Sequence, residues 1–107
     1  MASLAEFELR VLLSVLRCAG DAHAMAVHGV LQARARRRVS LGAVYVTLDR
    51  LERKGLLIST LGEPRAERGG RARRLYRASG TGKAAARTEC LAIRDLWQGL
   101  GLVTEEP

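Results

Sequence analysis

The chain has 107 residues and a formal net charge of +7, and 48% of its residues are hydrophobic. This length predicts one domain, and the apolar fraction favours a folded core over a disordered chain. No apolar run approaches the roughly 18 residues that a membrane span needs, and the acidic, amphipathic start does not resemble a signal peptide, so we expect a cytoplasmic protein without a membrane partner.

Helical spacing of apolar residues predicts two helices in the first third of the chain. The first covers residues 4–17, after which Gly20 acts as a stop and Asp21 as the N-cap of a second helix over 22–35. The second helix ends in ARARRRVS, which has four arginines within five residues. A helix dipole is complemented by fewer cations than this, so we expect these arginines to have another role.

Ser40 is a favourable N-cap for a third helix over about 41–54. One side of this helix is apolar and consists of Leu41, Val44, Tyr45, Leu48 and Leu51. A second side has small residues at its N-terminal end and cations at its C-terminal end, and consists of Ala43, Thr47, Arg50 and Lys54. We therefore expect the apolar side in the core and the second side at the surface, with the Tyr45 hydroxyl able to reach a phosphate from the edge of the helix.

Two short β-prone segments, 56–61 and 73–79, predict a hairpin whose long tip, GEPRAERGGRARR, contains five arginines. Residues 80–98 return to helical spacing. Their coiled-coil-like apolar stripe consists of Ala86, Cys90, Ile93, Trp97 and Leu100. The second and third helices form a helix-turn-helix, and the hairpin that follows is a wing. The predicted fold is therefore mainly α with a small β-hairpin.

Basic charge is concentrated in the half of the chain that holds these motifs. Residues 34–77 contain 13 Lys and Arg against 4 Asp and Glu, whereas the rest contains 5 against 7. Such a distribution is typical of a polyanion binder. A DNA major groove about 12 Å wide admits one helix, so we predict that the third helix reads base edges while the turn and the wing contact phosphates. The predicted contacts to double-stranded DNA are Arg38, Ser40, Ala43, Tyr45, Thr47, Arg50, Lys54, Arg68, Arg71, Arg73 and Arg74.

Two blocks of the sequence, RRVSLGAVYVTLDRLERKGLL and then RGGRARRLYRASGTGKAA, resemble the PadR-type transcriptional regulators. The matching positions of the first block are Ser40, Gly42, Val44, Tyr45, Leu48, Arg50, Leu51, Glu52, Gly55 and Leu56. Those of the second block are Gly70, Arg71, Tyr76, Ser79 and Gly82. The resemblance covers nearly the whole chain, but Ala24-Met25 stands where the family usually has Gly-Tyr, and Leu75 and Ala78 depart from the wing pattern.

The resemblance implies a homodimeric repressor on a pseudo-palindromic operator, with a small-molecule effector as a plausible means of release. We predict a winged helix-turn-helix domain over 1–78, with its recognition helix at about 41–54 and its wing at about 56–78, then a dimerisation helix over 79–102 and a loose tail at 103–107. The implied dimer contacts are Phe7, Val11, Cys90, Ile93, Trp97 and Leu100. Trp97 is also the candidate to stack against an effector.

Little else in the sequence indicates chemistry. SGTGKAA lacks two residues of a phosphate-binding loop, since Arg77 and Ala84 stand where Gly and Ser or Thr are needed. The spacing of the two Cys and two His indicates neither a metal site nor a catalytic pair, so we expect no cofactor and no enzymatic activity. Two alternatives stay open: a winged-helix adaptor that binds an acidic protein partner, and a non-specific nucleic-acid-binding protein.

Overall fold

A computed structural model describes residues 4–64 and 72–103 of the chain. In chain order its elements are α1 (Glu6–Arg17), α2 (Ala24–Arg34), α3 (Leu41–Arg53), β1 (Leu57–Pro64), β2 (Ala72–Ala78) and α4 (Gly80–Trp97). The predicted order and type of these elements are confirmed, and so is the fold class, which is mainly α with a two-stranded antiparallel hairpin. The largest difference in bounds is at β1, which continues to Pro64 instead of ending at Leu61.

The first three helices enclose the core, which continues onto the inner face of the hairpin. The helix side chains with no exposed surface are Val11, Leu12, Val27, Leu31, Val44, Leu48 and Leu51. Burying an aliphatic side chain of this kind stabilises the fold by roughly 1.5–3 kcal/mol. The prediction that Val11 lies at a dimer interface is wrong, because α1 turns its Val11, Leu12 and Val15 side into the core and leaves no part of Val11 accessible to a second chain.

The hairpin is attached to the helices at its base. β1 and β2 pair antiparallel, with Leu57 opposite Ala78 and Ser59 opposite Tyr76. The N–H of Tyr76 donates to the carbonyl of Ala22 at 2.9 Å, so the turn between α1 and α2 extends the sheet by one hydrogen bond. The Tyr76 side chain is buried, and this burial raises the pKa of its hydroxyl. The root of the wing is thus part of the folded core.

α2 begins two residues later than the spacing predicts, and a different residue caps it. His23, not Asp21, is the N-cap, and its Nδ1 accepts the N–H of Ala26 at 3.3 Å. The Asp21 carboxylate lies 3.9 Å from Nε2 of this imidazole, and Nη1 of Arg73 lies 2.7 Å from the same nitrogen. The imidazole therefore connects the start of α2 with strand β2, a role that the spacing alone did not indicate.

The end of α3 is closed by a glycine and by the start of α4. Gly55 has a φ of +78°, and the N–H of Leu56 donates to the Leu51 carbonyl at 3.0 Å, which is a Schellman motif. Ser79 caps α4 with its hydroxyl, and its N–H donates to the Leu56 carbonyl at 3.1 Å. A Cβ at Gly82 would lie 2.0 Å from that carbonyl oxygen, so glycine is needed there. The SGTG segment is therefore a helix start that packs on the end of α3.

α4 has a buried half and an exposed half. Gly82 and Ala86 are buried, whereas most side chains from Arg87 onward are exposed. The helix ends at Trp97, so the predicted stripe does not continue along it to Leu100, which is 64% exposed. The dimerisation helix and the domain division that it defines stay predictions. Residues 104–107 of the predicted tail lie outside the described residues.

Candidate nucleic-acid interface

The surface side of α3 differs from the one that the sequence predicts. Tyr45 is 52% exposed and Val46 is 58% exposed, whereas Thr47 is 4% exposed. Both placements are corrections, because we predicted Tyr45 on the apolar side and Thr47 on the side that faces DNA. The exposed residues of α3, called here the outer face, are Gly42, Tyr45, Val46, Asp49, Arg50 and Arg53.

Helix geometry explains the exchange of Tyr45 and Thr47. Thr47 follows Val44 by three residues and precedes Leu51 by four, which places it in the middle of the buried side. Tyr45 follows Val44 by one residue and is rotated by about 100° away from it, because an α-helix has about 3.6 residues per turn. Thr47 was therefore assigned to the surface side because it is polar, and Tyr45 to the buried side because its ring is apolar, and both assignments were wrong.

Two other predicted DNA contacts on α3 have partners inside the protein. Ala43 is half-buried, and its N–H donates to the Ser40 hydroxyl at 3.1 Å, which caps the helix. Nζ of Lys54 lies 2.7 Å from Oε1 of Glu8, a side chain that is only 2% exposed. The positive charge of Lys54 is thus paired with a buried carboxylate of α1, and this pairing disfavours a main role for Lys54 in DNA contact.

Glu8 joins α1 to the C-terminal end of α3. Its Oε1 also accepts the N–H of Ala5 at 2.9 Å, while its Oε2 is buried and has no hydrogen-bond partner within the described part of the chain. Burial acts to raise the pKa of this carboxyl, but the hydrogen bonds from Lys54 and Ala5 and the charges of Lys54 and Arg50 outweigh it and lower the pKa. Glu8 is therefore ionised at neutral pH and holds the cationic end of α3 against α1.

The turn between α2 and α3 presents arginines, one of which is tethered to α1. Arg37 donates to the Glu6 carboxylate and lies over the ring of Phe7, 5.3 Å from its centroid. The hydrogen bond from Arg37, together with the charges of Arg10 and Arg37, lowers the pKa of the Glu6 carboxyl. Phe7, a predicted dimer contact, is half-buried beside this arginine. The other arginines of this segment are exposed and are Arg34, Arg36 and Arg38.

The backbone of this turn is fixed by side chains of α2. Nε2 of His28 lies 2.9 Å from the Val39 carbonyl oxygen, and Oε1 of Gln32 accepts the Val39 N–H at 3.2 Å. Arg36 adopts a φ of +53°, a left-handed conformation that is uncommon outside glycine. The position of Ser40 at the start of α3 is therefore set by contacts with the preceding helix.

The base of the wing is connected to α3 through side chains. Nη1 of Arg74 donates to the Ser59 hydroxyl at 2.9 Å, and this hydroxyl donates to Oε2 of Glu52 at 2.6 Å. Arg74 is still exposed, while Arg73 is half-buried beside the cap of α2. The two predicted wing contacts that lie outside the described residues are Arg68 and Arg71.

This surface has the chemical groups that recognition of a DNA duplex uses. A guanidinium such as that of Arg50 can bond both major-groove acceptors of a guanine, and an apolar side chain such as Val46 can contact a thymine methyl group. Exposed cations beside the helix, such as Arg38 and Arg74, carry the groups that commonly contact phosphates. No helix in residues 4–64 or 72–103 is long and apolar enough to span a bilayer.

Several outer-face residues were not among the predicted contacts, although the sequence contained a signal for them. Gly42, Val46, Asp49 and Arg53 follow the same helical spacing as the buried side, offset by about half a turn. Asp49 and Arg53 form an exposed ion pair with 3.1 Å between Oδ2 and Nε. An exposed valine at position 46 is the least expected of these, since apolarity alone favours the core.

The fold and this surface define a winged-helix DNA-binding regulator, and comparison with known proteins agrees. The family model described as the Transcriptional regulator PadR-like family matches residues 12–88. The chain therefore belongs to the PadR-like family of transcriptional regulators, and the predicted resemblance is confirmed.

Individual relatives point the same way. The chain is 49% identical over 59 residues to Transcriptional regulator Rv3488 of Mycobacterium tuberculosis, a match that covers 55% of this chain and 51% of that protein. The chain thus matches about half the length of this relative. A PadR family transcriptional regulator from Eggerthella lenta is 26% identical, with a TM-score of 0.65 and coverage of 89% of this chain and 84% of that one. A PadR-like transcription factor from Bacteroides fragilis, at 23% identity and a TM-score of 0.67, shares the fold over 90% of this chain and 89% of its own.

Proposed function

We propose that this regulator is a cytoplasmic homodimeric repressor that binds a pseudo-palindromic operator with the outer face of α3 in the major groove. The observation that carries the proposal is the outer face itself. Tyr45, Val46 and Arg50 project from a helix whose other side is buried, and exposed arginines flank it in the turn and on β2. Such a surface supports base reading as well as attraction to a polyanion.

Support for the homodimer comes from α4. Its second half exposes Ile93 and Leu96, at 47% and 79%, which is unfavourable in water unless another surface covers them. A two-fold dimer would present two copies of α3 about 34 Å apart, one turn of DNA. Trp97 is half-buried at the end of this half, and it is the proposed contact for an effector that releases the repressor. We expect Trp97→Ala to weaken the dimer, which sedimentation equilibrium measures.

The experiment that tests the proposal is fluorescence anisotropy with a duplex from upstream of the protein's own gene. A scrambled duplex of equal length is the control, and both are measured at about 150 mM salt. We expect the upstream duplex to bind at least about 10³-fold more tightly. Equal, steeply salt-dependent binding of both duplexes would favour a non-specific nucleic-acid-binding protein, and the absence of binding to either would favour the adaptor.

Two arginine variants separate base reading from phosphate contact. Arg50→Ala should relax discrimination at one base pair, at a cost of about 1–3 kcal/mol for the preferred sequence. Arg38→Ala should weaken all duplexes alike and reduce the slope of log affinity against log salt by about 1. If both variants change only the salt slope, the assignment of Arg50 to base reading is wrong.

A further inference from the structure

A second surface with a distinct composition lies between α1 and α2. It is an open cleft of about 320 Å³, within the size range of small-molecule sites. Its aliphatic lining residues, called here the floor, are Leu13, Val30 and Ala35. The rest of its lining consists of Ser14 and three arginines, Arg10, Arg17 and Arg34. None of these residues is a predicted dimer contact, and of the three arginines only Arg34 belongs to the basic segment between α2 and α3 that we expected to contact phosphates.

The charges of the cleft are poorly compensated by the protein. Arg10 has one acidic partner, Glu6, at 3.3 Å, and Arg37 shares that carboxylate. Arg17 and Arg34 form no ion pair with any residue in the described part of the chain. Like charges that converge on one cleft repel each other, so an anion that enters is attracted by all three.

The floor shows what the rest of the ligand must be. The lining residues include no aromatic side chain, so a flat ring would gain little from stacking, whereas a hydrocarbon chain can bury apolar surface against Leu13 and Val30. A free phosphate or a DNA phosphate would use the arginines but leave the floor uncovered. A helix is about 10–12 Å wide with its side chains. The cleft therefore has room for only about two residues of a helix from a second copy of the chain.

We propose that the cleft between α1 and α2 binds an aliphatic carboxylate of medium chain length. The carboxylate contacts the guanidinium groups of Arg17 and Arg34, and the chain lies along Leu13 and Val30. Arg10, which is already paired with Glu6, contributes attraction at longer range. The proposal does not depend on DNA binding, so the two can be tested and can fail separately.

Isothermal titration calorimetry of the full chain with octanoate tests this site. Acetate supplies the charge without the chain, and 1-octanol supplies the chain without the charge. We expect octanoate to bind with a Kd on the order of 0.1–1 mM, the range open to a ligand of this size, and at least tenfold more tightly than either control. Binding of 1-octanol as tight as that of octanoate, or no heat with octanoate, would overturn the proposal.

Variants locate the binding. The double variant Arg17→Gln, Arg34→Gln should weaken octanoate binding by at least tenfold, whereas Arg87→Gln, an exposed arginine on α4, should leave it unchanged. An equal loss in both variants would show unspecific attraction to net charge and contradict the site. If the double variant binds octanoate normally but loses dimerisation or DNA affinity, the cleft belongs to a second copy or to a phosphate, and the proposal fails.

Discussion

The C-terminal end of α3 and its outer face are built in opposite ways. At the C-terminal end, Gly55 ends the helix and Lys54 pairs with the buried carboxylate of Glu8. The carbonyl of Leu56 accepts the N–H of Ser79 at the start of α4. Along the outer face, Tyr45 and Val46 are more than half exposed. The C-terminal end is anchored by α1, the wing and α4, while the outer face is presented to solvent.

The difference shows how a small fold can fix the position of a recognition surface, here the outer face, and still leave it exposed. The described contacts that fix the helix lie on its inner side, beyond its last turn and at its cap, and they leave Tyr45, Val46 and Arg50 exposed. The anchors also come from several elements, since Glu8 is on α1 and Ser59, bonded to Glu52, is on β1. Substitutions at the anchored end should therefore mainly lower the free energy of unfolding. Substitutions on the outer face should alter DNA recognition and leave the free energy of unfolding nearly unchanged.

The largest effect is expected at the junction between α3 and α4. Gly82→Ala would place a Cβ 2.0 Å from the Leu56 carbonyl oxygen, which also accepts the Ser79 N–H, so a shift that relieves this overlap disturbs that hydrogen bond or the Ser79 cap. We expect the free energy of unfolding to fall by about 3 kcal/mol, which urea denaturation followed by circular dichroism would measure.

Gly80→Ala is the matched control in the same helix. A Cβ at this position meets nothing within 4 Å, so the change should stay within about 0.5 kcal/mol or stabilise the helix slightly. Equal destabilisation by the two substitutions would mean that helix propensity, and not the contact with Leu56, decides the effect.

The ion pair between Glu8 and Lys54 should give the next largest effect. Lys54→Met leaves the Glu8 carboxylate buried with the Ala5 N–H as its remaining hydrogen-bond donor. We expect a loss of about 2 kcal/mol at pH 7, less than for a fully buried pair because the Lys54 side chain is 29% exposed. Arg53→Met, which breaks an exposed pair with Asp49, should cost less than about 1 kcal/mol.

The pH dependence gives this prediction a second readout. The pKa of Glu8 in the folded protein lies below its usual 4.5, so the stability that it contributes is present above pH 4.5 and is lost as pH falls through the folded value. In Lys54→Met, burial should raise the pKa of Glu8 instead, and protonation then relieves the cost. The difference in stability between the two proteins should therefore be largest near pH 7 and shrink towards pH 4. A constant difference across this range would show that the pair acts through packing and not through charge.

Spacing and turn residues were sufficient to predict the fold. Ser40 caps the helix that we expected it to cap, because this role depends on a local hydrogen bond and on backbone conformation. Ser79 caps α4 and Gly55 ends α3 in the same local way. The start of α2 was predicted less well, since His23 caps it where Asp21 was expected. Arg73 lies against that imidazole, a contact across 50 residues that no local pattern contains.

The candidate interface was predicted less completely, because a residue's type does not fix the direction in which it points. Arg50 was placed correctly on the exposed side. Lys54 pairs with Glu8 of α1, and Val11 lies in the core, because of packing between helices that local spacing does not show. Ser40 and Arg38 are exposed as expected, but their contact with DNA stays a prediction.

The adjacent residues Val46 and Thr47 offer the smallest and sharpest test, because Val46 is exposed whereas Thr47, which the sequence predicts to face DNA, is buried. Val46→Asp adds a negative charge to the outer face and should weaken binding to any duplex by about tenfold, or about 1.4 kcal/mol. Its effect on stability should stay within about 0.5 kcal/mol, because Val46 is 58% exposed. Thr47→Val changes a side chain that is 4% exposed and should leave DNA affinity unchanged in anisotropy titrations. Loss of affinity with Thr47→Val but not with Val46→Asp would mean that α3 rotates on DNA and that the sequence-based assignment describes the bound state.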